Sequence, residues 1–432
     1  MVSTPEKTLV KPEVYETKRI LLTSPILHIG SEVSKLSPFE YVQTDSRVYL
    51  PNSDLLAKAL SKKGKLQEYI RRIENLEEIT SLLKEAFGDN WQNEKLDGQA
   101  IFPNTGISRK WTVDKITDLR PMIRNGFGRI YIPGSSIKGA IRTAIAYHLL
   151  KHSERYQVPG KSRVSEIENR LRATMGTLNA KKADDDFMKS LFSEFELFYQ
   201  GRRSSGKIED SNEDSNRDFM RAIKVTDSKP IIKRPLKSKD GRKKDVNIPV
   251  VAKVIVSSFA NIRTKEGFLD KLAKYKAPIY AEMAYEVWTE FTLTLDTKML
   301  SWFSHNDNMA IPFGTIEDIL KICKEFAQDQ WEYERKYWKS IKNNPSEELD
   351  FDSIREDFYA QSKCPYGLRI GWGSGMMGTT IDLRLNEQLR AEIRDVCGLD
   401  APNYEAPKSR RTVINNEGEI KFAPGWVKFK VL

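Results

Sequence analysis

Five glycines stand among the twelve residues 367–378, Gly-Leu-Arg-Ile-Gly-Trp-Gly-Ser-Gly-Met-Met-Gly. Glycine has no Cβ and reaches positive φ cheaply, so successive N–H groups of such a loop can turn toward one concavity and hold an anion. Phosphate suits this chemistry, with Gly371, Gly373, Ser374 and Gly375 supplying backbone and Arg369 supplying charge. A second turn, Ile-Pro-Gly-Ser-Ser-Ile-Lys-Gly-Ala-Ile-Arg at 132–142, ends a short strand expected at 129–132 and opens a helix. Ile137, Ala140, Ile141, Ala144, Ile145, His148 and Leu149 fall on one helical face. Ser135 or Ser136 can cap this helix and leave other N–H groups of the first turn for an anion. Lys138 and Arg142 lie beside the positive end of the helix dipole, where exposed cations cost roughly 0.3–1 kcal/mol each. A bound anion would offset that cost; an ordinary capped helix with solvated basic residues is the plainer alternative.

Residues 229–244 carry eight basic side chains, Lys233, Arg234 and Lys237 among them, against the single Asp240. Asp240-Gly241 predicts a hairpin turn, and Pro230 and Pro235 exclude a central sheet strand. The segment reads either as a protruding basic hairpin that clamps a phosphate backbone or as a solvated loop. Asn-Gly-Phe-Gly-Arg-Ile-Tyr-Ile at 125–132 is similar to the RNA-stacking strand of RRM domains, but Arg129 stands where that pattern wants an aromatic. Phe127 and Tyr131 accordingly read as packing residues.

Other chemistries find less support. Gly373, Gly375 and Gly378 satisfy G-x-G-x-x-G, yet too little chain follows to build a dinucleotide-binding domain. Gly160-Lys161-Ser162 lacks the upstream glycine of a P-loop. His148 and His152 are four apart but outside an H-E-x-x-H frame, so they read as structural. His28, at the end of the first strand beside Gly30 and Ser31, is either a general base for a ribose 2′-hydroxyl or a buried, hydrogen-bonded histidine. Asp184, Asp185 and Asp186 read as a solvated helix start rather than a Mg²⁺ site. Cys323, Cys364 and Cys397 fit neither a disulfide framework nor zinc spacing. No metal and no cofactor are expected.

The elements that must position these residues mix without regular βα alternation. A strand is expected at 18–29, two helices within 54–87 broken at Gly64, strands at 219–225, 280–295 and 368–372, and a helix at 315–342. An aromatic helix within 181–215 leads into a polar, flexible stretch. The fold class is therefore α+β. The chain of 432 residues carries a formal charge of +10, which favours a polyanionic partner. No apolar run approaches membrane-spanning length and the start carries no signal-peptide pattern, so a cytoplasmic protein without membrane contact is expected.

These segments together resemble a known family. Leu-Leu-Thr-Ser-Pro-Ile-Leu-His-Ile-Gly-Ser at 21–31, the 132–142 turn and the 367–378 loop look like RAMP proteins of CRISPR effectors. Phe-Met-Arg-Ala-Ile-Lys-Val-Thr-Asp-Ser at 219–228, Ser-Arg-Arg-Thr-Val at 409–413 and Pro-Gly-Trp-Val-Lys at 424–428 narrow the resemblance to the fifth subunit of the type III-A Csm complex. The likeness implies an RRM-like, ferredoxin-like palm with helical insertions and a basic thumb-like hairpin. It implies core segments at 1–160 and 217–300, a helical insertion at about 54–106, a flexible one at 161–216, the hairpin at 229–250, a helical segment at 301–364 and a glycine-rich C-terminal segment at 365–432. The implied role is non-catalytic: binding the 3′ region of the crRNA at the head of the backbone filament and supporting crRNA maturation. Implied partners are crRNA, target RNA through the guide duplex, other Csm backbone subunits and a recruited maturation nuclease. Gly30, Ser31, Ser135, Ser136, Lys138, Gly139, Arg142, Arg369, Gly371, Gly373, Ser374 and Gly375 would contact guide RNA, and Lys233, Arg234 and Lys237 would arm the thumb. The alternative the same superfamily offers is a metal-independent endoribonuclease with His28 as base.

Overall fold

Strand β1 (Tyr15–Leu27) buries Ile20 and Leu22 in one core and Ile26 in another, while its first residues stay outside. It pairs antiparallel with β7 (Leu269–Asp296), Tyr15 opposite Asp296 and Leu27 opposite Ala284. In this computed structural model the described residues are 14–31, 35–175, 188–200, 205–207, 217–237, 241, 243–246, 248–263, 269–345, 348–396 and 404–432. Asp184 to Asp186, Cys397, Asp240 and most of the 201–216 stretch lie outside them.

An eleven-stranded sheet is built around β1 and β7. Its other members are β2 (Val42–Gln43), β3 (Arg47–Tyr49), β4 (Ile107–Lys110), β5 (Ile223–Val225), β6 (Ile248–Arg263), β8 (Leu368–Arg369), β9 (Ser409–Ile414), β10 (Ile420–Phe422) and β11 (Trp426–Val431). The path runs β8-β11-β1-β7-β6-β4-β3-β2, with β5 on β7 and the β9–β10 pair on β6. One edge of β6 is shared: Val250 and Val251 pair parallel with β4, and Val254 to Ser258 pair antiparallel with β9.

Two long helices cover one face, and the shorter α5 (Val164–Thr174) adds Ile167 and Leu171 to the same core. α4 (Gly134–Lys151) and α6 (Ile316–Ser340) interleave Ile137, Ile141 and Ile145 with Ile319, Ile322 and Phe326 above Leu22, Val287 and Leu293 of the sheet. α4 is buried almost all round from Thr143 to Leu150, beyond the single apolar face its sequence displays. α6 opens with a capping box between Thr315 and Asp318. The second half of α6 forms a separate aromatic core, in which Trp331 and Trp338 pack with Phe259, Phe351 and Trp426.

Three helices, α1 (Ser53–Lys62), α2 (Leu66–Glu74) and α3 (Thr80–Phe87), form a satellite core with Trp91 and Phe102. The expected break at Gly64 is present (φ +70°), and a second follows at Leu76, whose φ of +54° ends α2. Three other expectations fail. Residues 129–132 form no strand, because the Asn125 side chain accepts the Phe127 and Arg129 N–H groups and closes a tight turn. Phe195–Gln200 is a strand paired with Phe303–His305, not an aromatic helix. Phe219–Ala222 is a 3₁₀ turn capped by Asp218, and only Ile223–Val225 of that segment enters the sheet. Among the described residues no helix is long and apolar enough to cross a membrane.

The 229–250 segment does form a hairpin, with Arg234–Lys237 antiparallel to Lys243–Val246. Gly241 in its turn has φ +80°. Thr315→Ala should cost about 1 kcal/mol, the usual loss for an N-cap, with unchanged secondary structure; urea titration followed by circular dichroism measures it.

Candidate nucleic-acid interface

At the end of β1 the chain meets a buried carboxylate. Glu282 of β7 is 1% exposed and accepts from Ser108 Oγ at 2.6 Å, the Met122 N–H at 3.0 Å, and Arg124 Nη1 and Nη2 at 2.8 and 2.5 Å. Burial by itself would raise its pKa; Arg124, Ser108 and the Met122 N–H together outweigh that and hold the carboxyl below its ordinary range. The Glu282 carbonyl also accepts His28 Nδ1–H at 2.6 Å.

His28 is thereby a structural residue. It is 2% exposed, its ring meets the Trp372 ring edge-on at 5.2 Å, and burial, aided by Arg120, lowers its pKa against the pull of Glu282. A general base needs reach to a substrate proton, which this position withholds.

The glycine-rich loop folds over the same point. The Trp372 N–H donates to the His28 carbonyl at 2.9 Å. Gly371 has φ +77°, and a Cβ there would stand 2.5 Å from that carbonyl oxygen, so only glycine lets the two backbones approach. Gly373 (φ +95°) makes a similar approach to Pro424.

Much of the expected anion chemistry of this loop is consumed internally. Arg369 is 4% exposed; Nε donates to the Pro424 carbonyl and Nη2 to the Gly373 carbonyl, and the guanidinium lies 5.2 Å from the Trp426 ring. Ser374 is buried and turns its N–H and its hydroxyl onto the Gly371 carbonyl. Arg369 and Ser374 therefore shape the loop instead of presenting donors to a ligand. Gly375 is exposed, with open space around it.

The start of α4 is corrected in the same sense. Pro133, not a serine, is the N-cap, no side chain caps it, and Ser135 and Ser136 are already helical. The Gly134 N–H donates to Asp227 at 2.8 Å, so a carboxylate of the protein itself occupies the position expected for an external anion. Gly134 is required there because a Cβ would lie 2.3 Å from the Val225 carbonyl oxygen. Arg142 pairs with Asp218 and stacks at 3.8 Å on Phe192, which leaves it a packing role. Lys138 is half-buried, and burial, then Arg142, lowers its pKa against the pull of Asp218. Gly139 and Ser135 are exposed, as is Gly30; Ser31 and Ser136 are half-buried.

The loop and α4 do meet, since Thr143 packs against the short helix Met376–Thr379 through the Thr379 carbonyl. Gly30 bridges to Met122, completing the convergence of the three segments.

Two cationic surfaces flank this junction. Around Trp372, Arg120 lies 5.6 Å and Arg411 4.8 Å from the ring. Among the described residues no carboxylate forms a salt bridge with Arg411, and burial, followed by Arg120 and Arg369, lowers its pKa. On the other side a cleft of about 700 Å³ is lined by Arg47, Arg109, Arg129 and Lys233, together with Asp245 of the hairpin. The three arginines and Lys233 are exposed, and Asp245 pairs with Lys233 at 3.0 Å. Arg47 and Arg109 are directly opposite in the β3–β4 ladder, where like charges are unfavourable. Phe127 stands at the tip of the adjoining turn, 85% exposed, so it is not the packing residue its strand-like context suggests. In the hairpin Arg234 lies 5.4 Å from the Trp288 ring; the Lys237 side chain lies outside the described residues. No motif marked Arg47, Arg109 or Arg120; Arg411 lay in the 409–413 segment without an assigned role.

A family model described as the RAMP superfamily matches residues 19–352. The chain belongs to the RAMP superfamily. Within it, this RAMP protein is 27% identical over 176 residues to the CRISPR system Cms protein Csm5 of Enterococcus italicus, covering 35% of the chain and 50% of that relative. It is 27% identical over 181 residues to the protein of the same description from Streptococcus thermophilus, covering 40% of the chain and 50% of the relative. The chain thus spans about half the length of the curated relatives it matches. Two solved structures share the fold, each at TM-score 0.55 over 96% of this chain and 100% of theirs: a chain of a Csm–crRNA–target RNA ternary complex from a type III-A CRISPR-Cas system, 23% identical, and T. onnurineus Csm5, 21% identical.

Burial lowers the pKa of His28, and also of His148 and His305, so the unfolded chain binds more protons as pH falls below the ordinary histidine value. Stability from these neutral histidines is full above about pH 6.5 and is lost toward their lower folded values. The urea midpoint should therefore be lower at about pH 5.5 than at about pH 7, with a weaker dependence in His28→Gln.

Proposed function

We propose that this RAMP protein is a non-catalytic, crRNA-binding structural subunit of a type III-A CRISPR effector that caps the backbone filament at the crRNA 3′ region. Membership of the superfamily and the partial similarity to two Csm5 proteins support the assembly. The observation that carries RNA binding is the cleft itself: Arg47 set opposite Arg109, with Arg129 and Lys233 on the same walls and Phe127 beside the opening. Like charges held together in this way are stabilised by a polyanion that spans them. In this reading the sheet with α4 and α6 on its face is the RRM-like palm, and the basic hairpin is the thumb between guide and target. Backbone at Gly30, Ser31, Ser135, Ser136, Gly139, Gly371 and Gly375 meets the guide, with Lys138 beside it, while Gly373 is buried and shapes the loop. The partners are crRNA, target RNA, neighbouring backbone subunits and a maturation nuclease.

The burial of His28 weighs against the endoribonuclease alternative. Incubation of the full chain with labelled crRNA and its precursor in EDTA, across a salt series, tests both. Binding without scission, with log K falling along log salt at about −0.7 per phosphate contacted, is the expected result. Site-specific cleavage, or a flat salt response, would replace this proposal.

Arg47→Gln with Arg109→Gln should flatten the salt slope by about 0.7 per residue and weaken all RNA sequences alike. Stability should hold or rise, because cross-strand repulsion is relieved. Phe127→Ala should cost about 1–3 kcal/mol of RNA affinity, the worth of a stacked base, with folding unchanged. Unaltered affinity in both the double variant and Phe127→Ala would move the RNA path away from this cleft.

A further inference from the structure

α4 and α6 carry a second cluster. His148, in the last turn of α4, and His152, its C-cap, face Glu325 of α6. Nδ1 of His148 hydrogen-bonds to Glu325 Oε2, and Nε2 of His152 to Oε1 at 2.8 Å. One ligand atom from each residue lies within 4.8 Å of the other two, and the imidazole centroids are 4.6 Å apart. The second nitrogen of His148, Nε2, is 3.0 Å from the Tyr156 hydroxyl.

We propose that His148, His152 and Glu325 form a divalent-cation site of the zinc type. Two imidazoles and one carboxylate are a donor set that Zn²⁺ accepts, at about 2.0–2.2 Å from each ligand atom, with a solvent molecule as fourth ligand. Ligand atoms on a tetrahedral ion stand roughly 3.3 Å apart, so small side-chain rotations convert the hydrogen-bonded cluster into a coordination shell. In the present arrangement, each imidazole nitrogen facing Glu325 carries the proton it donates. On binding, both neutral rings change tautomer: the His148 proton moves to Nε2, where Tyr156 accepts it, and the His152 proton moves to Nδ1. No net proton is lost, and the carboxylate becomes a ligand.

Tyr156 thereby supplies the outer hydrogen bond that orients a metal-bound imidazole. His152 and Glu325 are half-buried, which leaves an entry path for the ion. Lys151 contacts Glu325 Oε1 at 3.0 Å, but it also holds Asp329 at 2.5 Å, so it keeps a carboxylate when Glu325 turns to the ion. Bound metal would tie the last turns of α4 to α6. The sequence pattern displays only the two histidines; their third partner is 173 positions from His152.

The experiment dialyses the tag-free full chain against Zn²⁺ buffered by a weak chelator, then measures metal per chain and the thermal midpoint with and without Zn²⁺. Stoichiometric zinc, a higher midpoint with zinc, and loss of both in His152→Gln are the expected results. Tyr156→Phe should weaken affinity by about tenfold, as removal of an outer-shell partner does, while remaining folded. Co²⁺ in place of Zn²⁺ should give the visible absorption of a tetrahedral site in wild type alone. Metal content at background in wild type, or equal in wild type and His152→Gln, would overturn the assignment.

Discussion

A single buried carboxylate organises the junction on which the candidate interface rests. Glu282 sits on the central strand β7 and gathers the end of β1, strand β4 and the 120–124 segment into one hydrogen-bonded node. Charge buried this deeply is tolerated only when its partners satisfy it, and loss of one partner leaves the other uncompensated. The bidentate contact from Arg124 meets that demand geometrically, as a planar guanidinium matches a carboxylate. His28 is locked by the same residue's carbonyl, and the glycine-rich loop is locked in turn onto His28. The backbone at His28 and Trp372 is placed by this chain of contacts.

Basic residues divide into two populations with opposite roles. Arg142 and Arg369 lie within conspicuous motifs but are engaged by Asp218 and by backbone carbonyls. They contribute to the scaffold through packing and hydrogen bonds, and their charge is largely spent there. Arg47, Arg109, Arg129 and Arg411 have no comparable neutralisation among the described residues, and two of them face one another across a strand pair. Such an arrangement works against stability in the free protein. Functional surfaces commonly carry that conflict, because the ligand relieves it.

The helical layer shows how one element can serve two ends. The middle of α4 meets the glycine-rich loop at Thr143, whereas its C-terminal end carries the His148–His152 pair against α6. Burial of its apolar residues on nearly all sides keeps those two contacts in fixed relation.

Local pattern was sufficient for the strand of β1, the helices α4 and α6, the basic hairpin and the α+β class, because each is encoded by periodicity or turn residues within one segment. The glycines at 371 and 373 were also legible, since positive φ and close backbone approach restrict a position to glycine wherever the neighbour comes from. What those approaches were for depended on chain remote in sequence: the His28 carbonyl for Gly371 and Pro424 for Gly373. The expected anion site at α4 failed for the same reason, as Asp227 lies 93 residues beyond Gly134 and fills it. The arginine cleft was invisible because β3, β4 and the hairpin have no mutual sequence signal; a charge becomes a ligand site only when the fold decides whether a carboxylate stands beside it. Sequence alone thus determined which segments could turn, cap and cluster charge, and tertiary structure decided which of those charges remained unneutralised.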